Sequence, residues 1–240
     1  MLFRSSQFSQ YTEVVFDAFC LHNKNKEIVD RKQDIIDKIT EFYNVSPESY
    51  LFIGFNPAVL SVTAKEIYVT EISDKIYNWL KIKRPEIKKL TVLQEFDCVI
   101  AVDEYFTFAD NDQAQKDLIT NTCKIARDLI ITTVKDYKNQ DFKDREYSQP
   151  AIIKSHGLTA YTEIHDWHQV DKNSFTTMTY ELAGTNASCK AVSNRRTMYF
   201  KQMAKFCMDA GATDFLVHKN LMYKSLIKKN YEHVVSIQFE

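Results

Sequence analysis

The run Phe96-Asp97-Cys98-Val99-Ile100-Ala101-Val102-Asp103 constrains this chain more than any other. It is apolar at nearly every position instead of at alternate ones, so a strand made of it must be covered on both faces. Strands of that kind belong to parallel sheets sandwiched between helices. The neighbouring sequence agrees. Residues 112–127 place Leu118, Ile119, Cys123 and Ile125 at helical spacing, with Asp110 or Asp112 positioned to cap the first turn. Asp128 to Val134 is a second β-branched run. Strand, helix, strand in that order predicts a right-handed crossover and a mainly parallel sheet.

Upstream, Tyr50-Leu51-Phe52-Ile53 is an apolar run that ends in Gly54 and the turn-like pair Asn56-Pro57. Glu66 to Thr70 reads as the next strand, closed by an acid, Glu71. Too few residues separate these strands for a full crossover helix, so the connection must be compact. Strand, tight turn, helix, strand, acid is the order in which α/β proteins build a nucleoside pocket: the turn admits the ligand to the backbone and the acid accepts from ribose hydroxyls. Residues 8–43 carry two helical patterns broken at Asn23 to Lys26, residues 73–82 a third, and residues 89–93 a short third strand. Beyond the charged, loop-like residues 136–149, Ala160 to Trp167 and Ser174 to Leu182 alternate as antiparallel strands do. A helix over 196–210 capped by Gly211, then strands at Phe215 to His218 and Val234 to Phe239, close the chain. The fold class expected is therefore α/β: a mostly parallel, Rossmann-like sheet with an antiparallel C-terminal strand, flanked by helices. Residues 1–47 form an N-terminal helical extension and residues 48–240 the α/β domain.

Bulk properties exclude several classes. A net charge of −1, with both signs mixed along 240 residues, argues against nucleic acid as a partner. The basic spots at Lys81 to Arg84, Arg195-Arg196 and Lys224 to Lys229 read as solvated helix ends and loops. Five widely spaced cysteines without a CxxC pair read as reduced thiols, neither a disulfide framework nor a zinc site. No apolar run approaches the ~20 residues needed to span a bilayer, and the N-terminus has no signal-peptide core. The expectation is a cytoplasmic protein, or a virion component if phage-encoded. Sixteen Phe and thirteen Tyr without basic interleaving suit protein partners or a homo-oligomer better than stacked bases.

Taken in order, these segments resemble the class I S-adenosylmethionine-dependent methyltransferases over residues 48–240. Leu51-Phe52-Ile53-Gly54-Phe55-Asn56-Pro57-Ala58 stands at the family's Gly-rich turn, and Glu71 at the acid that binds the ribose diol. Glu95 to Tyr105 is similar to the family's FDvVia-D phrase, and MAKFCMDAGATDFLVH to its final helix and "aGf" turn. The resemblance implies S-adenosylmethionine as cofactor, held by Gly54, Asn56, Pro57 and Glu71. It implies acceptor contacts, orientation or deprotonation, from Asp103, Glu104 and Tyr105. It also places His165-Asp166-Trp167-His168 in a substrate-covering insertion, with His165, Trp167 and His168 bordering the acceptor. Those histidines have no third ligand at a suitable spacing, so no metal is expected.

The chain departs from the family pattern at the turn. Phe52 replaces an acid, Asn56 and Ala58 replace glycines, and Phe55 puts a ring inside the turn. Asn tolerates positive φ and Ala is small, so a turn of the right shape remains available. Gln94 or Glu95 could stand in for the family's adenine-contacting acid only in a shifted register. Two readings follow. One is a methyltransferase of unknown acceptor. The other is a catalytically inactive subunit or assembly factor of a larger complex, such as a phage tail or baseplate component, whose unused pocket has filled with hydrophobes.

Overall fold

In the computed structural model, residues 6–21, 25–101, 104–137, 145–147, 151–152, 159–166, 174–183, 186–218, 221 and 232–239 are described. Two helices, α1 (Ser6–Leu21) and α2 (Asn25–Phe42), precede β1 (Ser49–Ile53), β2 (Glu66–Thr70), α3 (Asp74–Lys83), β3 (Lys88–Lys89) and β4 (Phe96–Ala101). Then come α4 (Asp112–Cys123), β5 (Ala126–Lys135), β6 (Arg145–Tyr147), β7 (Ala151–Ile152), β8 (Thr159–Asp166), β9 (Ser174–Ala183) and β10 (Asn186–Arg196). The chain closes with α5 (Phe200–Asp209), β11 (Asp214–His218) and β12 (Glu232–Gln238).

Seven strands form the main sheet in the order β11-β12-β5-β4-β1-β2-β3. All pairings are parallel except those of β12, which runs antiparallel to both β5 and β11. Every residue of β4 is buried, as its unbroken apolar run requires. From β1 the chain steps outward through β2 to β3, and from β4 it steps the other way to β5. Right-handed crossovers then put the β1–β2 turn and α3 on one face and α4 on the other. α2 joins the first face, where Ser61 donates to Gln33 at 2.9 Å, and α5 packs on α4 on the second. A separate antiparallel sheet, β10-β9-β8-β6 with β7 beside β8, lies between β5 and α5 in sequence.

Local details explain several boundaries. Asn111, not Asp110 or Asp112, caps α4, accepting from the Ala114 amide at 2.9 Å. Asp112 is thereby free to pair with Arg196 (Nε–Oδ1 2.9 Å). Asp97 accepts from the Glu48 and Ser49 amides, both at 2.9 Å, and so ties the start of β1 to β4. β10 runs to Arg196 and α5 begins only at Phe200, so the helix expected from residue 196 starts four positions later. Gly211 does follow α5 with φ 100°, a left-handed conformation that favours glycine. Among the described residues no helix is long and apolar enough to cross a membrane.

In two of the three basic spots the arginines are not the solvated groups expected. Arg195 is 1% exposed and Arg196 7%. Arg84 donates to the carbonyls of Val59 (3.0 Å) and Val62 (2.8 Å), bracing the turn after β1. The physical reason is shared: each guanidinium presents several donors in a fixed fork, some of which reach oxygens inside the protein. Lys224 to Lys229 lie outside the described residues.

Candidate functional site

The sheet order reverses between β1 and β4, and open α/β sheets place ligands at the carboxyl ends of strands at such a point. Three neighbouring strand exits there share one backbone property. Gly54 after β1 has φ 84°, Glu71 after β2 has φ 55°, and Glu104 after β4 has φ 58°. Left-handed backbone is routine for Gly but costs an ordinary L-residue about 1–2 kcal/mol. Two glutamates held that way, at the exits on either side of β1, mark a locally strained rim, and such strain collects at ligand sites.

The turn after β1 is built from local chemistry. The Gly54 amide donates to the Thr70 carbonyl at 2.9 Å, so the turn starts while still paired to β2. Asn56 caps a single 3-10 turn over Pro57–Leu60, its Oδ1 accepting from the Ala58 amide at 2.9 Å, with Pro57 at the first position where its missing N–H costs nothing. That turn is the whole β1–β2 crossover, as the short spacing demanded.

Phe52, the next-to-last residue of β1, is fully buried, its ring stacked on Tyr50 at 6.1 Å. Phe55 is also buried but turns toward a cluster of Phe16 (5.0 Å), Phe19 (5.3 Å) and Trp79 (6.4 Å). Further along α1, Phe8 meets Tyr105 at 4.7 Å and Phe108 at 4.9 Å. Phe8, Tyr11, Phe16 and Phe19 recur at helical spacing, so one face of α1 spans the exits from β4 to the β1 turn. Asp17 pairs with Lys75 of α3, and Gln7 accepts from the Asn194 amide of β10 at 3.0 Å, fixing the helix at both ends.

Glu104 sits in a buried charge cluster. Tyr137 donates to it at 2.6 Å, Lys135 lies 3.2 Å away and Arg195 3.4 Å away. The Arg195 guanidinium lies against two neighbouring rings, 4.6 Å from the centre of Tyr11 and 4.1 Å from that of Phe108. This carboxylate thus joins the exits of β4 and β5 to β10 and α1. Sequence reasoning missed Lys135, Tyr137 and Arg195; nothing in their local patterns distinguishes them from surface polar residues.

Tyr105 differs from its neighbour. It is 1% exposed, yet its hydroxyl has no hydrogen-bond partner among the described residues. Burial pushes its pKa well above the usual phenol range, and the nearby Glu71 carboxylate pushes it further the same way. A protonated, buried phenol within the field of Glu71 is a donor with nothing to donate to.

The structure therefore brings Gly54, Asn56, Pro57, Glu71, Glu104 and Tyr105 to one rim. Asp103, Trp167 and His168 lie outside the described residues. His165 stands on β8 in the second sheet, opposite Thr177 of β9 and Glu146 of β6. Gln94 and Glu95 precede β4 with Asp97 and Arg127, at the opposite end of the sheet, so neither can serve the rim. Among the described residues no group of three or more His, Cys, Asp or Glu side chains could hold a metal ion.

No family model and no curated protein matches the chain. Solved structures do. DesVI of Streptomyces venezuelae superposes with a TM-score of 0.70 at 10% identity, over 95% of this chain and 98% of that one. An amino pentose methyltransferase from Micromonospora echinaspora, solved with S-adenosylmethionine bound, gives 0.67 at 9% identity, over 95% and 96%. An S-adenosylmethionine-dependent methyltransferase from Clostridium acetobutylicum gives 0.64 at 11%, over 88% and 91%. Likeness over nearly the full length of each chain at such low identity is likeness of fold: the chain has the α/β, Rossmann-like fold of the S-adenosylmethionine-dependent methyltransferases.

Proposed function

We propose that the chain binds S-adenosylmethionine at the rim of β1, β2 and β4 and transfers its methyl group to an acceptor. The observation that carries this reading is the cluster of left-handed residues at the carboxyl ends of β1, β2 and β4, where this fold takes its ligand, with the buried, unpartnered Tyr105 hydroxyl at the β4 exit. The residues fit the cofactor. Gly54 offers a backbone with no side chain at the turn, Asn56 and Pro57 hold that turn, and the Glu71 carboxylate accepts from ribose hydroxyls. When bound, the cofactor supplies an electrophilic methyl on a sulfonium. The protein's part is to align a nucleophile in line with that methyl, to take up its proton, and to exclude water. Asp103 is the group proposed to orient or deprotonate the acceptor. Glu104, already engaged by Tyr137, Lys135 and Arg195, sets the backbone of that exit instead of taking the proton. α1 covers the rim, and His165, Trp167 and His168 border the acceptor.

One observation favours the second reading, an inactive descendant of the fold serving as a subunit or assembly factor. The Phe16, Phe19, Phe55 and Trp79 cluster lies directly over the β1 turn, as an abandoned pocket sealed by aromatic rings would.

Calorimetric titration separates the two. The active reading expects saturable binding of S-adenosylmethionine and S-adenosylhomocysteine, with a matching rise in melting temperature, since a ligand of the folded state stabilises it by RT ln(1 + [L]/Kd). Glu71→Ala should remove both signals. No heat and no shift at millimolar ligand would sink the enzyme reading and leave the inactive one.

A further inference from the structure

We infer that β11 is the contact edge of a homodimer, in which two copies join antiparallel along this strand and the main sheet runs on through both. The inference goes beyond the proposed function and holds whether or not a cofactor binds.

The two edges of the main sheet are built differently. β3 is two residues long and both are lysines, with Lys88 held by Glu66 at 2.8 Å and Lys89 by Asp74 at 2.6 Å. A short, charged edge of that kind resists strand addition. β11, at the other edge, has five residues, Asp214-Phe215-Leu216-Val217-His218, without lysine or proline. Among the described residues it pairs with β12 alone. An edge so built presents backbone donors and acceptors to an incoming strand. Side chains alternate along it, so Asp214, Leu216 and His218 share one face and Phe215 and Val217 the other. Tyr43 bonds both Asp214 and Ser236, and Ser236 is in register with Leu216, so the first face is the one under α2. There Phe42 is 63% exposed and its ring stands 6.0 Å from that of His218, an apolar knob beside the edge. Phe215 and Val217 pack against the core on the other face.

The occupant is a second copy because the strand complements itself. Antiparallel pairing about Leu216 sets Leu216 opposite its own copy, Phe215 opposite Val217, and Asp214 opposite His218. Apolar side chains then meet apolar ones, and each acid meets an imidazole in place of a second acid. A parallel alignment would set Asp214 against Asp214. The net charge of −1 leaves little long-range repulsion between copies.

Sedimentation velocity of the full chain across the micromolar range tests this. Wild type should pass from monomer to dimer as concentration rises. Leu216→Lys puts two like charges on the dimer axis and should weaken association by roughly tenfold or more. Its circular dichroism at low concentration should match wild type, and if that variant does not fold, Phe42→Ser, a change at an exposed ring, carries the same expectation. Val92→Lys, at a side chain 74% exposed beyond β3, should leave association unchanged. Leu216→Cys should give, on mild oxidation, a dimer whose disulfide maps by peptide mass to residue 216 of both chains. Wild type that stays monomeric at every concentration would overturn the inference. So would a dimer that survives unchanged in folded Leu216→Lys, or one lost equally in Val92→Lys.

Discussion

At the scale of single residues, the exit of β4 shows how one position can look catalytic in sequence and be architectural in space. Glu104 follows the buried strand where a reacting carboxylate is expected, but its 3% exposure and three partners make it the centre of a charge cluster. Breaking a buried pair by deleting one partner typically costs about 3–5 kcal/mol, because the remaining charge is stranded. Arg195→Met should fall near the lower end, about 3 kcal/mol, since Lys135 and Tyr137 still serve Glu104. Urea unfolding measures this as a lowered midpoint at unchanged slope; a midpoint within experimental error of wild type would show that the cluster contributes little.

At the scale of elements, α1 decides what kind of crevice this is. Its aromatic face covers the β1 turn and the β4 exit together, so its packing and any ligand access are coupled. Phe16 is 3% exposed and meets both Phe55 and Trp79. Phe16→Ala should cost about 3 kcal/mol by the usual toll for a buried ring. Hydrogen exchange should show the loss concentrated as faster exchange in α1, with β4 and β5 scarcely changed, because the helix has its own tethers at Asp17 and Gln7. Uniformly faster exchange across the sheet would mean that α1 is part of the global folding unit and not a separable cover.

At the scale of the whole molecule, the layers are pinned by a relay between α2 and the antiparallel edge. The Tyr43 hydroxyl donates to Asp214 at 3.1 Å and accepts from Ser236 at 2.9 Å, and Ser236 lies 2.6 Å from the His218 Nε2. Burial lowers the His218 pKa below its ordinary 6.5, with Asp214 opposing, and raises that of Tyr43 to about 12. The signs differ in consequence. For His218 the unfolded chain binds more protons in acid, so stability is intact above about 6.5 and is lost as pH falls below it. For Tyr43 the unfolded chain loses its proton first, so stability is intact below about 10 and is lost as pH rises toward about 12. A plot of melting temperature against pH should therefore be flat between those limits on account of this relay. Tyr43→Phe should shrink the alkaline arm, to which the buried Tyr50 and Tyr105 phenols also contribute, and His218→Asn the acid arm; arms unchanged in both variants would place the titration elsewhere.

The parallel core was legible because its cause is local. An unbroken apolar strand cannot face water, and two β-branched runs flanking a helix leave few topologies, so β1, β2, β4, α4 and β5 could be read with their order. The same holds for the tight β1–β2 turn, dictated by the number of residues available, and for the placing of Gly54 and Glu71 at the exits of β1 and β2. What only tertiary structure decided depends on residues far apart in the chain. Arg195 and Arg196 look solvated until β10 delivers them to Glu104 and Asp112. Phe55 looks like an obstruction in the turn until α1 and α3 supply the rings it packs against. Tyr105 looks like an exposed loop residue until α1 lays Phe8 against its ring. Sequence fixes periodicity and local geometry; partners for charges and hydroxyls are assigned by the packing of elements whose proximity no short window encodes.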